Sequence, residues 1–437
     1  MKLIKEVNCV SLRLEKVNVK DVKLGSETSY KNGVVTVNKD ELIEELKQDD
    51  RIGSIEIEVV KPGESVRIIP VKDVIEPRIK VEGEGELFPG LLGKVSTVGS
   101  GTTKTFNGMS VVTTGKLVGF QEGIIDMDGP GADYSPFSKT LNLVVNCEPV
   151  KGLKSHEHEE ALRLAGLKAA RYIAEACQDA QADEQEDYEA LPVEEMKSKY
   201  PNLPKVGYVY MLQSQGLLHD TWVYGIDAKE IIPTCIYPTE VLDGAIVSGN
   251  CVSACDKNTT YHHLNNPIIK DLYARHGKDI NFCGVILTNE NVTLAAKERS
   301  SGYTAKLAEM LGLDGVIVSQ EGFGNPDTDL IMNCVKIEDK GIKTVLVTDE
   351  YAGRDGASQS LADADPKADA VVTAGNANET IVLPPMDKVV GILETADSIA
   401  GGFEGSLRHD KSIEVELQTI TGATNQLGFN KLGAIEA

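Results

Sequence analysis

The sequence predicts an α/β protein, with a β-rich N-terminal region followed by a mostly parallel α/β sheet domain. Three observations carry that prediction. Short β-branched runs separated by Gly and Pro fill the first 150 residues. From about residue 205, strand-like apolar runs alternate with helical patterns. The chain has 437 residues, 41% hydrophobic and 25% charged, which is ordinary globular composition. At that length about two or three domains are expected.

Taken in order, Ile55-Glu-Ile-Glu-Val-Val60 alternates apolar and charged side chains, as a strand with one buried face does, and Ser65-Val-Arg-Ile-Ile-Pro-Val71 follows it. The glycine-dense stretch from Gly83 to Gly108, and the loop-like Gly119 to Gly131, turn corners. The period then changes. Ala161, Leu162, Leu164, Ala165, Leu167, Ala169 and Ile173 suit one face of a helix over residues 155–182, capped by Ser155 and opening with Glu157-His-Glu-Glu160. His156 and His158 are two apart on that helix and point to different sides, so they read as solvated polar surface rather than metal ligands. The acidic run Asp179 to Glu195 reads as a surface connection.

Strand-like runs follow at Val206 to Leu212, Phe282 to Thr288, Gly315 to Ser319, Thr344 to Thr348 and Ala370 to Thr373. Helical patterns lie between them at 297–311, 328–340 and 356–364. In a parallel sheet ligands sit beyond the carboxyl ends of the strands, which points to the loops Ser319 to Asp327 and Thr348 to Gly356. Neither is a P-loop, and no G-x-G-x-x-G opens a helix, so no nucleotide is expected. The chain divides into a β-rich region (1–150), a helical and connecting α/β region (151–250) and an α/β domain (251–437).

Acidic residues outnumber basic ones 67 to 44, for a net charge of −23. Such a chain is repelled by phosphate backbones and anionic lipid, so neither nucleic acid nor a membrane surface is an expected partner. The N-terminus lacks the apolar core of a signal peptide, and no run is long enough to span a bilayer, so a soluble cytoplasmic protein is expected. The eight cysteines are scattered, and most of them sit in apolar surroundings as small buried hydrophobes.

The exception is Ser248-Gly-Asn-Cys251-Val-Ser253-Ala-Cys255-Asp-Lys-Asn-Thr-Thr-Tyr-His262-His263. It gathers the only close cysteine pair and two of the seven histidines, after an apolar run (Val241 to Val247) that suggests the end of a strand. Three chemistries suit these residue types. Cys251, Cys255 and a histidine are zinc ligand types, although C-x₃-C followed by adjacent histidines is not a common zinc spacing. A thiol activated by His262 or His263 would make a cysteine nucleophile. Alternatively, the Cys251 thiolate attacks the Asn250 carbonyl and moves the chain onto sulfur as a thioester. Elimination then breaks the Cβ–S bond, releases the upstream chain and leaves dehydroalanine that hydrolyses to an N-terminal pyruvoyl group. The flexible Gly249 before the bond suits a strained turn. Of four Asn-Cys dipeptides, only Asn250-Cys251 stands among imidazoles, hydroxyls and an acid.

The segment Asn250 to His263 resembles the processing site of the component B proproteins of the glycine, sarcosine and betaine reductases. Further matches to that family are Arg67-Ile-Ile-Pro-Val-Lys-Asp-Val-Ile-Glu-Pro77, Gly119 to Gly131, Tyr208-Val-Tyr-Met-Leu-Gln-Ser-Gln-Gly-Leu-Leu-His-Asp220 and Gly322-Phe-Gly-Asn-Pro-Asp-Thr-Asp-Leu330. They run in order along nearly the whole chain, and the D-proline reductase proprotein is a more distant relative. The resemblance implies cleavage between Asn250 and Cys251, with Cys251 becoming a covalent pyruvoyl cofactor and no metal or nucleotide required. It implies a hetero-oligomer with a selenocysteine-containing subunit of component B. It also implies an oxidoreductase complex completed by components A and C and served indirectly by thioredoxin, in the fermentation of amino acids. The substrate C–N bond is activated, through a Schiff base for amine substrates, and a component A selenol attacks it. Acetyl phosphate and the free amine result.

His262, His263, Ser253 and Cys255 are the accompanying catalytic candidates. Betaine has no N–H and forms no imine, so its activation must differ. Arg275, Arg299 and Arg354 are cations that can grip a substrate carboxylate, although each reads first as an ordinary surface arginine. Two other readings are a non-catalytic scaffold for the selenoprotein subunit, and a metal enzyme using Cys251, Cys255, His262 and His263.

Overall fold

The computed structural model describes residues 10–116, 123–216, 218–249 and 258–421. Within the N-terminal part the strands are Val10–Asn18 (β1), Ile52–Val60 (β2), Val66–Ile75 (β3), Arg78–Glu82 (β4), Gly101–Asn107 (β5), Met109–Gly115 (β6), Gly123–Asp126 (β7) and Leu141–Pro149 (β8). The helix Ser155–Ala176 (α1) and the strand Glu184–Ala190 (β9) follow. Next come Lys205–Leu212 (β10), Thr234–Ile236 (β11), Ile246–Ser248 (β12) and the short helix Thr260–Leu264 (α2). The remaining elements used below are Asn281–Asn289 (β13), Leu294–Met310 (α3), Gly315–Ser319 (β14), Asn325–Glu338 (α4), Lys343–Glu350 (β15), Val371–Asn376 (β16) and Lys388–Gly391 (β17).

These strands form a mixed α/β architecture. One sheet runs β7-β3-β6-β8-β2, with β17 added in parallel beside β3. A second runs β9-β1-β5-β4. The third has the order β11-β13-β10-β14-β15-β16, in which β13, β10, β14, β15 and β16 pair in parallel and β11 is an antiparallel edge strand. Among the described residues no helix is long and apolar enough to cross a membrane.

Every residue of β3 is buried, so both of its faces must be covered. Its one guanidinium, Arg67, is fully buried and lies fork to fork with Asp126 (Nε–Oδ1 2.7 Å, Nη2–Oδ2 2.8 Å), which offsets the cost of placing charge there. Helix α1 packs Ala161, Leu162, Ala165, Ala169 and Ile173 into the core shared with β6 and β8. Helices α3 and α4 cover one face of the third sheet through Ala305, Ala308, Leu330, Ile331 and Cys334. Cys147, Cys177, Cys283 and Cys334 are buried, and burial pushes the Cys147 thiol up to about 12, consistent with inert core thiols. Cys235 is exposed, and Cys9 lies outside the described residues.

Three expectations are corrected. Ser155 is the first helical residue rather than the cap, and the Glu157 carboxylate closes the helix start by accepting from the Lys154 N–H at 3.0 Å. The acidic run contains β9, which pairs antiparallel with β1, because Tyr188 and Ala190 alternate into the core. Cations from elsewhere, Lys16 and Lys199, meet its carboxylates. Residues 356–364 form no helix; Gly353 and Gly356, at the start of this stretch, take left-handed φ, and the Asp355 and Asp363 carboxylates accept from the Ala357 and Ala364 N–H groups instead.

Candidate functional site

Strand β12 ends at Ser248 and helix α2 begins at Thr260, so the described structure brackets the Asn250-Cys251 junction from both sides. Asn250, Cys251, Ser253 and Cys255 themselves lie outside the described residues. The frame on either side is built from several elements.

The two ends are tied together. Thr260 Oγ1 accepts from the Ser248 N–H at 3.0 Å and donates to Asp73 Oδ2 at 2.7 Å, while the Thr260 N–H donates to Asp73 Oδ1 at 2.9 Å. All three residues are buried, and Asp73 comes from β3 in the first sheet. Upstream, the Gly249 N–H donates to the Asp220 carbonyl at 2.7 Å. A Cβ on Gly249 would overlap the His219 carbonyl oxygen, so this position accepts only glycine without rearrangement. The Asp220 carboxylate in turn accepts from the Gly216 N–H at 2.7 Å and closes the turn after β10.

Downstream, Asn258 is held by groups at the carboxyl end of the third sheet. Its N–H and Nδ2 donate to the two oxygens of Glu321, at 3.2 and 3.0 Å. Nδ2 also reaches the Tyr210 phenol at 2.9 Å, and that phenol is 2.8 Å from His263 Nδ1. Burial holds the Tyr210 phenol well above its ordinary range, so it stays protonated. Accepting from Asn258, it has a proton free to share with His263 Nδ1.

His262 and His263 are both fully buried but do not act as one pair. His262 turns toward Thr259 Oγ1 (Nδ1 at 2.7 Å) and meets the Phe137 ring edge-on at 5.1 Å. Burial, helped by His263, pushes its pKa well below the ordinary value and keeps it neutral. Only His263 joins the Tyr210–Asn258–Glu321 network.

That network continues inward. The Glu321 N–H donates to Glu290 Oε1 at 2.8 Å, and the Ser214 hydroxyl donates to the Glu290 carbonyl. Burial, with Glu321 next to it, drives the Glu290 carboxyl well above the carboxylate range. Lys297, the nearby buried cation, is occupied by Asp329 and the Asn325 carbonyl.

His156 of α1 stands near the same upstream turn. Its Nδ1 is 3.2 Å from His219 Nε2, and His219 Nδ1 is 2.6 Å from Asp227 Oδ2. His158 points elsewhere, as the two-residue spacing predicts, and burial lowers it to about 4. Among the described residues no group of three or more His, Cys, Asp or Glu is placed to hold a metal ion. The three candidate arginines stand apart from the network around Asn258. Arg275 pairs with Asp279 at the surface, Arg299 is exposed, and Arg354 bonds Glu416 at 2.9 Å and lies over the Phe403 ring.

Sequence reasoning did not single out Asp73, Tyr210, Asn258, Glu290 or Glu321 as site residues. Loop position was the available signal for Glu321, because the strand–helix alternation had marked Ser319 to Asp327. For Asp73, almost 190 positions before Thr260, no local signal exists.

A family model described as glycine/sarcosine/betaine reductase component B subunits matches residues 10–435. The chain is 68% identical to the glycine reductase complex component B subunits alpha and beta of Acetoanaerobium sticklandii, over 97% of this chain and 99% of that one. It is 57% identical to the sarcosine reductase complex component B subunit alpha of Peptoclostridium acidaminophilum, over 97% and 99% of the two chains. It is 42% identical to the betaine reductase complex component B subunit alpha of the same organism, over 93% and 95%. No solved structure matches. With a match spanning nearly every residue, the chain belongs to the glycine/sarcosine/betaine reductase component B subunit family.

Proposed function

We propose that this chain is the proprotein of the alpha and beta subunits of component B of a glycine reductase, cut between Asn250 and Cys251. The observation that carries this reading is the 68% identity, end to end, to a chain named for both subunits of that glycine complex. In the family the group formed at Cys251 is a pyruvoyl, and its chemical contribution is a ketone carbonyl that draws electrons from the substrate C–N bond.

The residues on either side fit such a group. A peptide bond attacked by its own downstream thiol must be held in one geometry. Gly249 pressed on the His219 carbonyl and Asn258 held by Glu321 provide two fixed anchors for that. The Ser248–Thr260–Asp73 tie closes the loop and removes most of the freedom its ends would have. Beyond the junction, the Tyr210 phenol and His263 share a hydrogen bond at 2.8 Å, so the pair can hold and pass a proton. Cys255 and Ser253 are assigned to the same segment, with no part in the attack itself.

By this reading the cut chain joins a selenocysteine-containing component B subunit in the cytoplasm, and components A and C complete the selenium-dependent reaction to acetyl phosphate and free amine. Denaturing electrophoresis with mass spectrometry of the native protein tests it. Cys251→Ala should abolish cleavage and Cys255→Ala should leave it in place. Equal behaviour of the two variants would favour a shared metal or disulfide instead.

A further inference from the structure

Among the described residues, the buried polar atoms without a hydrogen-bond partner include Gln213 Nε2, Glu290 Oε2 and Asn258 Oδ1, near the junction. Each belongs to a residue about 1% exposed. Gln213 and Glu290 follow β10 and β13 directly, and Asn258 joins them through Glu321, which follows β14. Ser214, next to Gln213, bonds the Glu290 backbone, Glu290 bonds Glu321, and Glu321 holds Asn258. The Gln213 carbonyl is already used by the Ser214 and Gln215 N–H groups (3.0 and 3.1 Å), which leaves its amide nitrogen as the free donor.

An unpaired buried polar atom is costly, and such atoms on residues joined through one hydrogen-bonded group call for something to bind. The missing partner must therefore offer acceptors to Gln213 and Glu290 and a donor to Asn258. A small amino acid has that pattern, with a carboxylate at one end and N–H groups at the other.

We propose that Gln213, Glu290 and Asn258 form the pocket for the amino-acid substrate, with Gln213 Nε2 and the Glu290 carboxyl holding its carboxylate and Asn258 Oδ1 accepting from its amine. This rests on the component B reading above and adds the groups that recognise the substrate. Because Glu290 is held in its protonated form, it donates a hydrogen bond to an anion instead of repelling it. Recognition of the carboxylate then needs no arginine, in keeping with the surface positions of Arg275, Arg299 and Arg354. Betaine has no N–H, so it would leave Asn258 Oδ1 unpaired.

Equilibrium dialysis on the assembled complex after borohydride reduction tests the pocket, since reduction removes any carbonyl and leaves only non-covalent binding. Glycine should bind roughly 10-fold or more tightly than betaine or glycine methyl ester. Glu290→Met and Gln213→Met should weaken glycine binding by a similar factor, while Glu290→Gln, which keeps a donor, should stay near the parent. Cleavage and the thermal midpoint of each variant report folding. Equal affinity for glycine and its methyl ester in the unsubstituted protein would overturn the proposal even if no variant folds, as would unchanged affinity in correctly cleaved Met variants. If the chain were never cleaved and yet bound glycine through these residues, the pocket would stand and the pyruvoyl reading would fall. Borohydride trapping of labelled glycine with no dependence on these residues would have the opposite meaning.

Discussion

Gly249 carries no side chain because the His219 carbonyl occupies the space a Cβ needs. Gly249→Ala should therefore displace the upstream anchor, costing about 1–3 kcal/mol by overpacking, and slow cleavage. Denaturant titration and a cleavage time course check both, and wild-type behaviour in each would mean the local backbone has room to yield. Thr260→Val tests the tie between the two ends. It keeps the shape and the backbone N–H bond to Asp73 Oδ1 but removes the hydroxyl bonds to Asp73 Oδ2 and Ser248, and should cost about 1–3 kcal/mol because those partners are buried. A variant with an unchanged unfolding midpoint would show that Thr260 is not a staple. At this scale the sequence made the junction and its two histidines legible, since they cluster within one segment. It did not separate His262 from His263, because only packing against Phe137 on one side and Tyr210 on the other gives them different environments.

Among the elements, the turn that carries His219 links α1 to the upstream anchor. The hydrogen bond to Asp227 raises the His219 pKa above its ordinary 6.5. A raised folded pKa contributes stability that is fully present below the unfolded value and is lost as pH rises through the folded one. His219→Gln should therefore destabilise the protein more at pH 6 than at pH 9, and denaturation midpoints at the two values would show it. A deficit of equal size at both would mean the imidazole acts by shape alone. His219 keeps about a quarter of its side chain exposed, so the effect should be modest. Element types were largely readable from period. The alternation of Ile55 to Val60 and the helical spacing after residue 155 both correspond to the observed elements. The acidic strand β9 was not, because its charges mask a strand whose only apolar contribution is Tyr188 and Ala190.

At the scale of the whole molecule, a cut at Asn250-Cys251 would not divide the fold into two parts. Strand β10, upstream of the cut, lies between β13 and β14, both downstream, in one hydrogen-bonded sheet. Strand β17, near the C-terminal end of the described residues, pairs with β3 in the first sheet. Cleaved protein should therefore run as a single species on native size-exclusion chromatography and separate into two fragments only in denaturant. Fragments that part in native buffer would contradict these pairings.

The sequence alone determined most of the element classes, the net negative charge, the absence of a nucleotide motif and the position of the reactive segment. All of these are local patterns, read within a window of a few to about twenty residues. Tertiary structure alone decided that Asp73, Tyr210 and Glu321 hold the two sides of that segment. It also decided that Gln213, Glu290 and Asn258 are left with unpaired polar atoms at one end of one sheet. The reason is physical. Side chains from distant parts of the chain become neighbours only when strands pair and bury them, and burial is what makes an unpaired amide costly and keeps a carboxyl protonated.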